Sequence, residues 1–203
     1  MNSMSALTFA AQAFVTLFVI MDPPGATPIF LGLVGDKSSR ERTRLAWQAA
    51  AVSLFVIASF ALFGQLILDY MNVSIEALQA AGGLLLLYVS LQLLTGTPEA
   101  GAAKKSGNIG MVPLGTPLLA GPGAIVATMI FVQKADTQAQ FFGLALAIIA
   151  VHLIIGIVLT LSGKIVHVIK EAGVSLLASI AGLLLAAIAV QMLANAIKAF
   201  IAQ

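Results

Sequence analysis

Asp22 is the only acidic residue that falls deep inside a long apolar run of this chain, within FVIMDPPGATP at residues 18–28. No Lys or Arg lies at similar depth to pair with it. Ionisable groups inside a membrane are costly and mark functional sites by default. A carboxylate here could take up and release a proton, meet a substrate ammonium, or meet a sodium ion. It could equally cap a helix, because Asp followed by Pro is a helix-start signature with Asp at N-cap and Pro at N1.

A second run, PLGTPLLAGPGA at residues 113–124, again mixes Pro and Gly into apolar sequence. Proline removes a backbone donor and clashes with the preceding turn, and glycine relaxes the backbone. Each run is therefore expected to be a broken helix. The N-terminal end of a half-helix carries partial positive charge and free N–H groups, which suit a carboxylate. Asp22 and such ends together would make a candidate site for a small solute. The candidate binding residues are Asp22, Pro23, Gly25 and Thr27 from the first run and Gly121, Gly123 and Thr128 from the second, with Asp22 also the candidate coupling residue. Small residues around the breaks (Gly25, Ala26, Gly121, Gly123, Ala124) favour a small cavity.

Other polar residues call for plainer roles. Thr116, Ser90, Gln92, Gln191 and Asn195 are expected to hydrogen-bond between helices, and a lone His152 is read as a satisfied interhelical partner. Gly82, Gly83, Gly156 and Gly182 are expected to allow close helix packing. Glu76 fits a helix start. No HExxH, GxSxG or Walker A pattern occurs, so an enzyme is not expected. No cofactor or metal site is expected either, apart from a coupling proton or sodium ion. The chain has no cysteine, which removes disulfides and thiolate chemistry.

Lipid must be the solvent for the elements that position these residues. Of 203 residues, 60% are hydrophobic and 9% charged, against about 25% charged in a typical soluble domain. The mean hydropathy is +1.06. Six runs, at about 6–34, 45–68, 75–95, 111–133, 139–162 and 174–201, are long enough to span a hydrocarbon core of about 30 Å. They are continuous and rich in Leu and Ala, so helices are expected rather than a β-barrel. No Lys or Arg precedes the first run, which is read as a retained span rather than a cleaved signal.

Lys37, Arg40, Arg42, Arg44, Lys104, Lys105, Lys164 and Lys170 all follow odd-numbered runs, and only Lys134 and Lys198 lie on the other side. The positive-inside rule then expects the basic loops 35–44, 96–110 and 163–173 in the cytoplasm and both termini outside. With a net charge of only +2 and no basic patch interleaved with aromatics, no nucleic-acid partner is expected. The expected partners are the bilayer and a small solute, with room left for an oligomer.

Shifting the sequence by 99 residues superposes Gly64 on Gly163, Gly83 on Gly182 and Gln92 on Gln191. A shift of 98 superposes Pro24-Gly25-Ala26 on Pro122-Gly123-Ala124. The expected organisation is a first three-helix repeat at 1–95, a cytoplasmic linker at 96–110 and a second three-helix repeat at 111–203. Three is odd, so the second repeat would enter the membrane from the opposite side. The expected fold class is an all-α membrane protein of six transmembrane helices in two inverted three-helix repeats, with spans 1 and 4 broken. Inverted repeats with discontinuous helices recur in secondary transporters, whose alternating access would then be a rocking of one repeat against the other.

At these motifs the chain resembles the MarC/SnatA family of bacterial and archaeal membrane proteins. The features that carry the resemblance are Asp22-Pro-x-Gly-x-x-Pro28, the basic stretch after it, Ala81-Gly82-Gly83, and Pro113-Leu-x-x-Pro117 continuing through Leu-Leu-Ala-Gly to Pro122. The second proline, Pro24, is a local variation. The resemblance covers nearly the whole chain. It implies six spans in the inner or cell membrane and cation-driven transport of small neutral amino acids such as glycine and alanine. Two other functions remain open from sequence: export of another small metabolite or drug, and a non-transporting membrane scaffold.

Overall fold

The computed structural model describes residues 4–34, 36–95 and 119–202, and all regular structure among them is helical. The elements are α1 (Ala6–Met21), α2 (Pro23–Val34), α3 (Ser39–Met71), α4 (Ile75–Thr95), α5 (Pro122–Lys134), α6 (Gln138–Thr160) and α7 (Ser162–Ile201). Five stretches are long and apolar enough to cross a membrane: Ala6–Thr27, Ser39–Met71, Ile75–Thr95, Gln138–Thr160 and Ser175–Ile201. α5 is shorter, at 13 residues. Most of the remainder of the run expected at 111–133, with Thr116, lies outside the described residues, as does the linker expected at 96–110.

Capping chemistry sets the helix ends, and two expected loops turn out to be largely helical. Ser38 Oγ accepts the Glu41 N–H at 3.3 Å, and Glu41 Oε2 accepts the Ser38 N–H at 3.0 Å. This reciprocal capping box starts α3 well before its apolar stretch, so Arg40, Arg42 and Arg44 ride on its first turns rather than in a loop over 35–44. Asn72, at φ 52, ends α3 in the left-handed conformation that Asn tolerates. Thr137 accepts the Gln140 N–H at 3.3 Å and starts α6 in the same manner. The stretch expected as a loop at 163–173 is helical on both sides of one break, at Lys170 (φ 60, ψ 171).

Consecutive helices within each half hardly pack on one another; the packing runs between the two halves of the chain. α4 lies along α7 in the most extensive pairing among the described residues. A Cβ on Gly83 would stand 3.0 Å from the Ala189 carbonyl oxygen and 3.0 Å from Leu193 Cγ. A Cβ on Gly182 would stand 3.2 Å from the Ser90 carbonyl oxygen and 3.2 Å from Leu94 Cγ. Those contacts run in opposite chain directions, so the two helices are antiparallel. α3 lies along α6, also antiparallel, with Trp47 over Gly156 and Ser53 against His152. α1 packs on α6 and α5. The short helices lie between: α2 touches α6 and α7, and α5 touches α3 and α4.

The buried side chains form two cores. The larger is built by α1, α2, α3, α5 and α6 around Leu17, Phe30, Ile57, Ile155 and Leu159. The smaller gathers Leu86 of α4, Val126 of α5, and Leu185, Ala189 and Met192 of α7. Large apolar side chains such as Phe55, Tyr88, Leu146 and Val190 face outward. That pattern suits a lipid solvent, in which apolar exposure costs nothing.

Candidate functional site

The first break is where the sequence expects it. α1 stops because Asp22 turns into the left-handed region, φ 39 and ψ 65, and its N–H closes the last turn on the Phe18 oxygen at 3.0 Å. Pro23 has no N–H to offer and opens α2. The Asp22 carboxylate folds over that new helix and accepts the Gly25 N–H at 3.2 Å, while the Asp22 carbonyl accepts the Ala26 N–H at 2.9 Å. Gly25 is required for this: a Cβ there would overlap Oδ2 of Asp22. The capping role is therefore realised, and the carboxylate remains half-buried. Pro23 is buried. Thr27, 1% exposed, donates its hydroxyl to the Pro23 carbonyl at 3.1 Å.

The second run also opens a helix at a proline, but from extended rather than left-handed backbone and without a carboxylate. Leu119 and Ala120 are buried, Gly121 is extended (φ −62, ψ 161), and Pro122 begins α5. The N–H groups of Ala124 and Ile125 bond to the Gly121 carbonyl at 3.0 and 3.2 Å. As N-cap, Gly121 supplies no side chain to the helix start. Gly123 is buried beneath Leu86 of α4, whose Cδ2 occupies the place of a Cβ. Thr128, 0% exposed, donates to the Ala124 carbonyl at 2.8 Å. Thr27 and Thr128 thus both spend their donor proton on their own helix, which leaves hydroxyl lone pairs as their capacity for a ligand.

Residues beside both prolines belong to one buried cluster. Met21 and Ala26 beside the first share it with Leu119, Ala120, Ala124 and Ala127 beside the second. All are apolar and most are small, so the ligand-capable groups beside them are few: one carboxylate, backbone amides and two threonines. Among the described residues, no three His, Asp or Glu side chains converge in a way that could hold a metal ion, and no buried side-chain nitrogen or oxygen lacks a hydrogen-bond partner.

The remaining polar residues act between or within helices. His152 Nε2 stands 3.1 Å from Ser53 Oγ, and its Nδ1 stands 2.7 Å from the Ile148 oxygen. Ser90 donates to the Leu87 carbonyl at 2.7 Å, and Gln191 to Asn195 at 2.8 Å. Ser53, Gln65 and Gln133 are among the residues that escaped the sequence reading. Ser53 could have been found, since the 99-residue shift lays it on His152. Gln133, which donates to Gln65 at 2.6 Å, had no comparable signal.

Comparison with known proteins shows the family. The family model described as MarC family integral membrane protein matches residues 7–201. A UPF0056 membrane protein of Methanocaldococcus jannaschii is 38% identical over 202 residues, covering 95% of this chain and 97% of that protein. A UPF0056 membrane protein of Archaeoglobus fulgidus is 33% identical over 192 residues, 91% of this chain and 90% of its own. One from Aquifex aeolicus is 31% identical over 195 residues, 92% of this chain and 91% of its own. No solved structure matches. The chain belongs to the MarC family of integral membrane proteins.

Proposed function

We propose that this MarC family member is a secondary active transporter of small neutral amino acids, of the glycine and alanine class, driven by a proton or sodium gradient. The observation that carries the reading is the helix break at Asp22-Pro23 and the helix start at Gly121-Pro122, at corresponding places in the two halves and flanked by residues of one buried core. Broken helices in lipid expose backbone groups that are tolerated only where they are buried in protein or line a wet cavity. Two such breaks at corresponding positions are the usual pointer to a transporter binding site.

Asymmetry between the breaks supports an assignment of the two ends of a zwitterion. The Asp22 carboxylate already covers the start of α2 and takes the Gly25 N–H. The start of α5, at Gly121 and Gly123, has no side-chain cap. In this reading the substrate carboxylate goes to α5 and its ammonium, or a coupling proton, to Asp22. Pro23, Thr27 and Thr128 line the same site. Leu86 over Gly123 keeps the site small. With a half-buried carboxylate and no Lys or Arg nearby in sequence, a strongly anionic solute is disfavoured.

The same reading takes the chain as six spans in two inverted repeats, in the cell membrane, with the basic segments cytoplasmic and the termini outside. The reciprocal contacts support it: under the 99-residue shift Gly83 becomes Gly182, Ser90 becomes Ala189 and Leu94 becomes Leu193, so each glycine meets the counterpart of what the other meets. Antiparallel pairing of counterpart helices is what a two-fold axis in the membrane plane produces.

The test is radiolabelled glycine and alanine uptake into proteoliposomes, with imposed proton or sodium gradients. Accumulation driven by one gradient is expected. No uptake above empty liposomes, from protein that elutes as a folded species, would remove the amino-acid reading and favour another solute or a scaffold.

A further inference from the structure

The geometry points to two rigid bodies that cut across the repeats: α3 with α6 and α1 on one side, and α4 with α7 on the other, with the broken-helix segments α2 and α5 in the seam between them. The bodies are thus not the first and second halves of the chain. For what the motion achieves, the inference rests on the transport reading; the partition itself does not.

Three observations carry it. First, the helix packing is heaviest between halves: α4 on α7, α1 on α6 and α3 on α6. Within the first half, α3 and α4 are consecutive yet share no extended contact, and α6 and α7 pack only marginally. Second, the contacts inside each body are of the kind that cannot slide. Gly83 and Gly182 bring α4 and α7 to backbone approach, with would-be Cβ atoms 3.0 and 3.2 Å from carbonyl oxygens of the partner helix. Ser53 and His152 form a fully buried hydrogen bond between α3 and α6. Third, the buried side chains divide along the same line into two clusters, joined through α5, which gives Ala124 and Ala127 to one and Val126 to the other.

Rocking one half against the other would separate both glycine contacts and the Ser53–His152 bond together. Packed cores resist continuous deformation and move as blocks along weaker surfaces. The weaker surface here is the seam, where the glycines face side chains rather than opposing backbone: Gly64 of α3 against Met129 of α5, Gly82 of α4 against Val126 of α5, and Gly123 of α5 against Leu86 of α4. Motion along this seam changes the surroundings of both breaks at once.

The natural chain has no cysteine, so spin labels can be placed in pairs without other changes. The exposed positions Phe55 (α3), Tyr88 (α4), Leu146 (α6) and Val190 (α7) serve. Double variants of the full chain are reconstituted in nanodiscs, and label distances are measured at acid and neutral pH, with and without sodium, glycine or alanine. Tyr88/Val190 and Phe55/Leu146 are expected to stay narrow and fixed within about 2 Å, the scale of ordinary helix shifts. Phe55/Tyr88 and Leu146/Val190, within one half each, are expected to broaden or shift. The reverse pattern overturns the inference in favour of rocking halves, and four equally narrow distributions in every condition overturn it too. Should the expected pattern appear while proteoliposomes show no glycine or alanine uptake, the amino-acid reading fails and the partition stands.

Discussion

Ser53 and His152 lie 99 residues apart in the chain and 3.1 Å apart in space, and 99 is the shift that also lays Gly83 on Gly182. Residues exchanged by a two-fold axis can touch one another only beside that axis. The pair therefore sits where an axis relating the two halves would pass. Its hydrogen positions follow from its surroundings. Nδ1 faces the Ile148 carbonyl, which can only accept, so Nδ1 carries the hydrogen. In the neutral ring Nε2 is then the acceptor, and the Ser53 hydroxyl donates.

This arrangement predicts a measurable coupling. Ser53→Ala leaves Nε2 buried without a donor and is expected to cost about 1–3 kcal/mol. His152→Leu alone strands the hydroxyl less severely, since serine can turn to its own helix. A double-mutant cycle read by chemical denaturation in detergent is expected to give a coupling of about 1 kcal/mol, within the range for interhelical bonds in membranes. Additive single-site effects would show that the bond carries no net stabilisation.

At Asp22, charge and cap can be separated. Asn caps nearly as well as Asp and tolerates the same left-handed backbone. Asp22→Asn is therefore expected to keep the melting temperature near that of the parent while abolishing gradient-driven uptake. Gly25→Ala fails differently, because its Cβ occupies the place of the carboxylate and expels it from α2. Loss of that cap is expected to cost about 1–2 kcal/mol. Unchanged uptake in Asp22→Asn would remove Asp22 from the coupling step.

Sequence made much of this legible because each signal had a short-range physical cause. Asp22-Pro23 and Gly121-Pro122 announce helix breaks through a missing donor and a fixed φ; the first break is present, and at the second the described residues show a helix starting at Pro122. The extent of α3 was underestimated because hydropathy marks where lipid ends, whereas a helix ends where its caps are; Ser38-x-x-Glu41 was the overlooked sign. The 163–173 stretch misled for the same reason, since polar residues continue a helix readily. Pairings such as Gln65 with Gln133 depend on how α3 and α5 pack, and no local rule supplies that.

Lys170 holds φ 60 and ψ 171, a region that costs a side chain about 1–3 kcal/mol and suits only glycine. Lys170→Gly is expected to raise stability by about 1 kcal/mol, less the entropy that glycine gains in the unfolded chain. Lys164 remains nearby to preserve the basic character of the segment. A fall in the unfolding midpoint would mean that the lysine side chain holds the break in place.

The start of α3 is expected to depend on pH. Hydrogen bonds from the Ser38 hydroxyl and N–H hold the Glu41 carboxyl below its usual value of 4.5. A lowered folded-state value stabilises the helix start at neutral pH, and that contribution disappears as pH falls through and below the ordinary carboxylate range. Amide exchange at residues 38–42, corrected for intrinsic rates, is expected to lose protection in acid. Glu41→Gln should flatten that dependence, and an acid transition of the same size in the variant would assign it to another group.

Gly83 and Gly182 provide the sharpest test of reciprocity between α4 and α7. Each would-be Cβ meets backbone of the opposing helix, the Ala189 oxygen at 3.0 Å and the Ser90 oxygen at 3.2 Å, and backbone cannot swing aside as a side chain can. Gly83→Ala and Gly182→Ala are each expected to destabilise by about 1–3 kcal/mol through overpacking. Their sum should exceed the cost of the double variant, because helices already pushed apart by the first methyl have room for the second. Gly32 of α2 is the control: nothing lies within 4 Å of its would-be Cβ, and alanine there is expected to be neutral or stabilising by up to about 1 kcal/mol. Unfolding midpoints of the four variants decide the matter. A large loss in Gly32→Ala, or strict additivity at the other two, would mean that α4 and α7 do not hold each other at backbone distance.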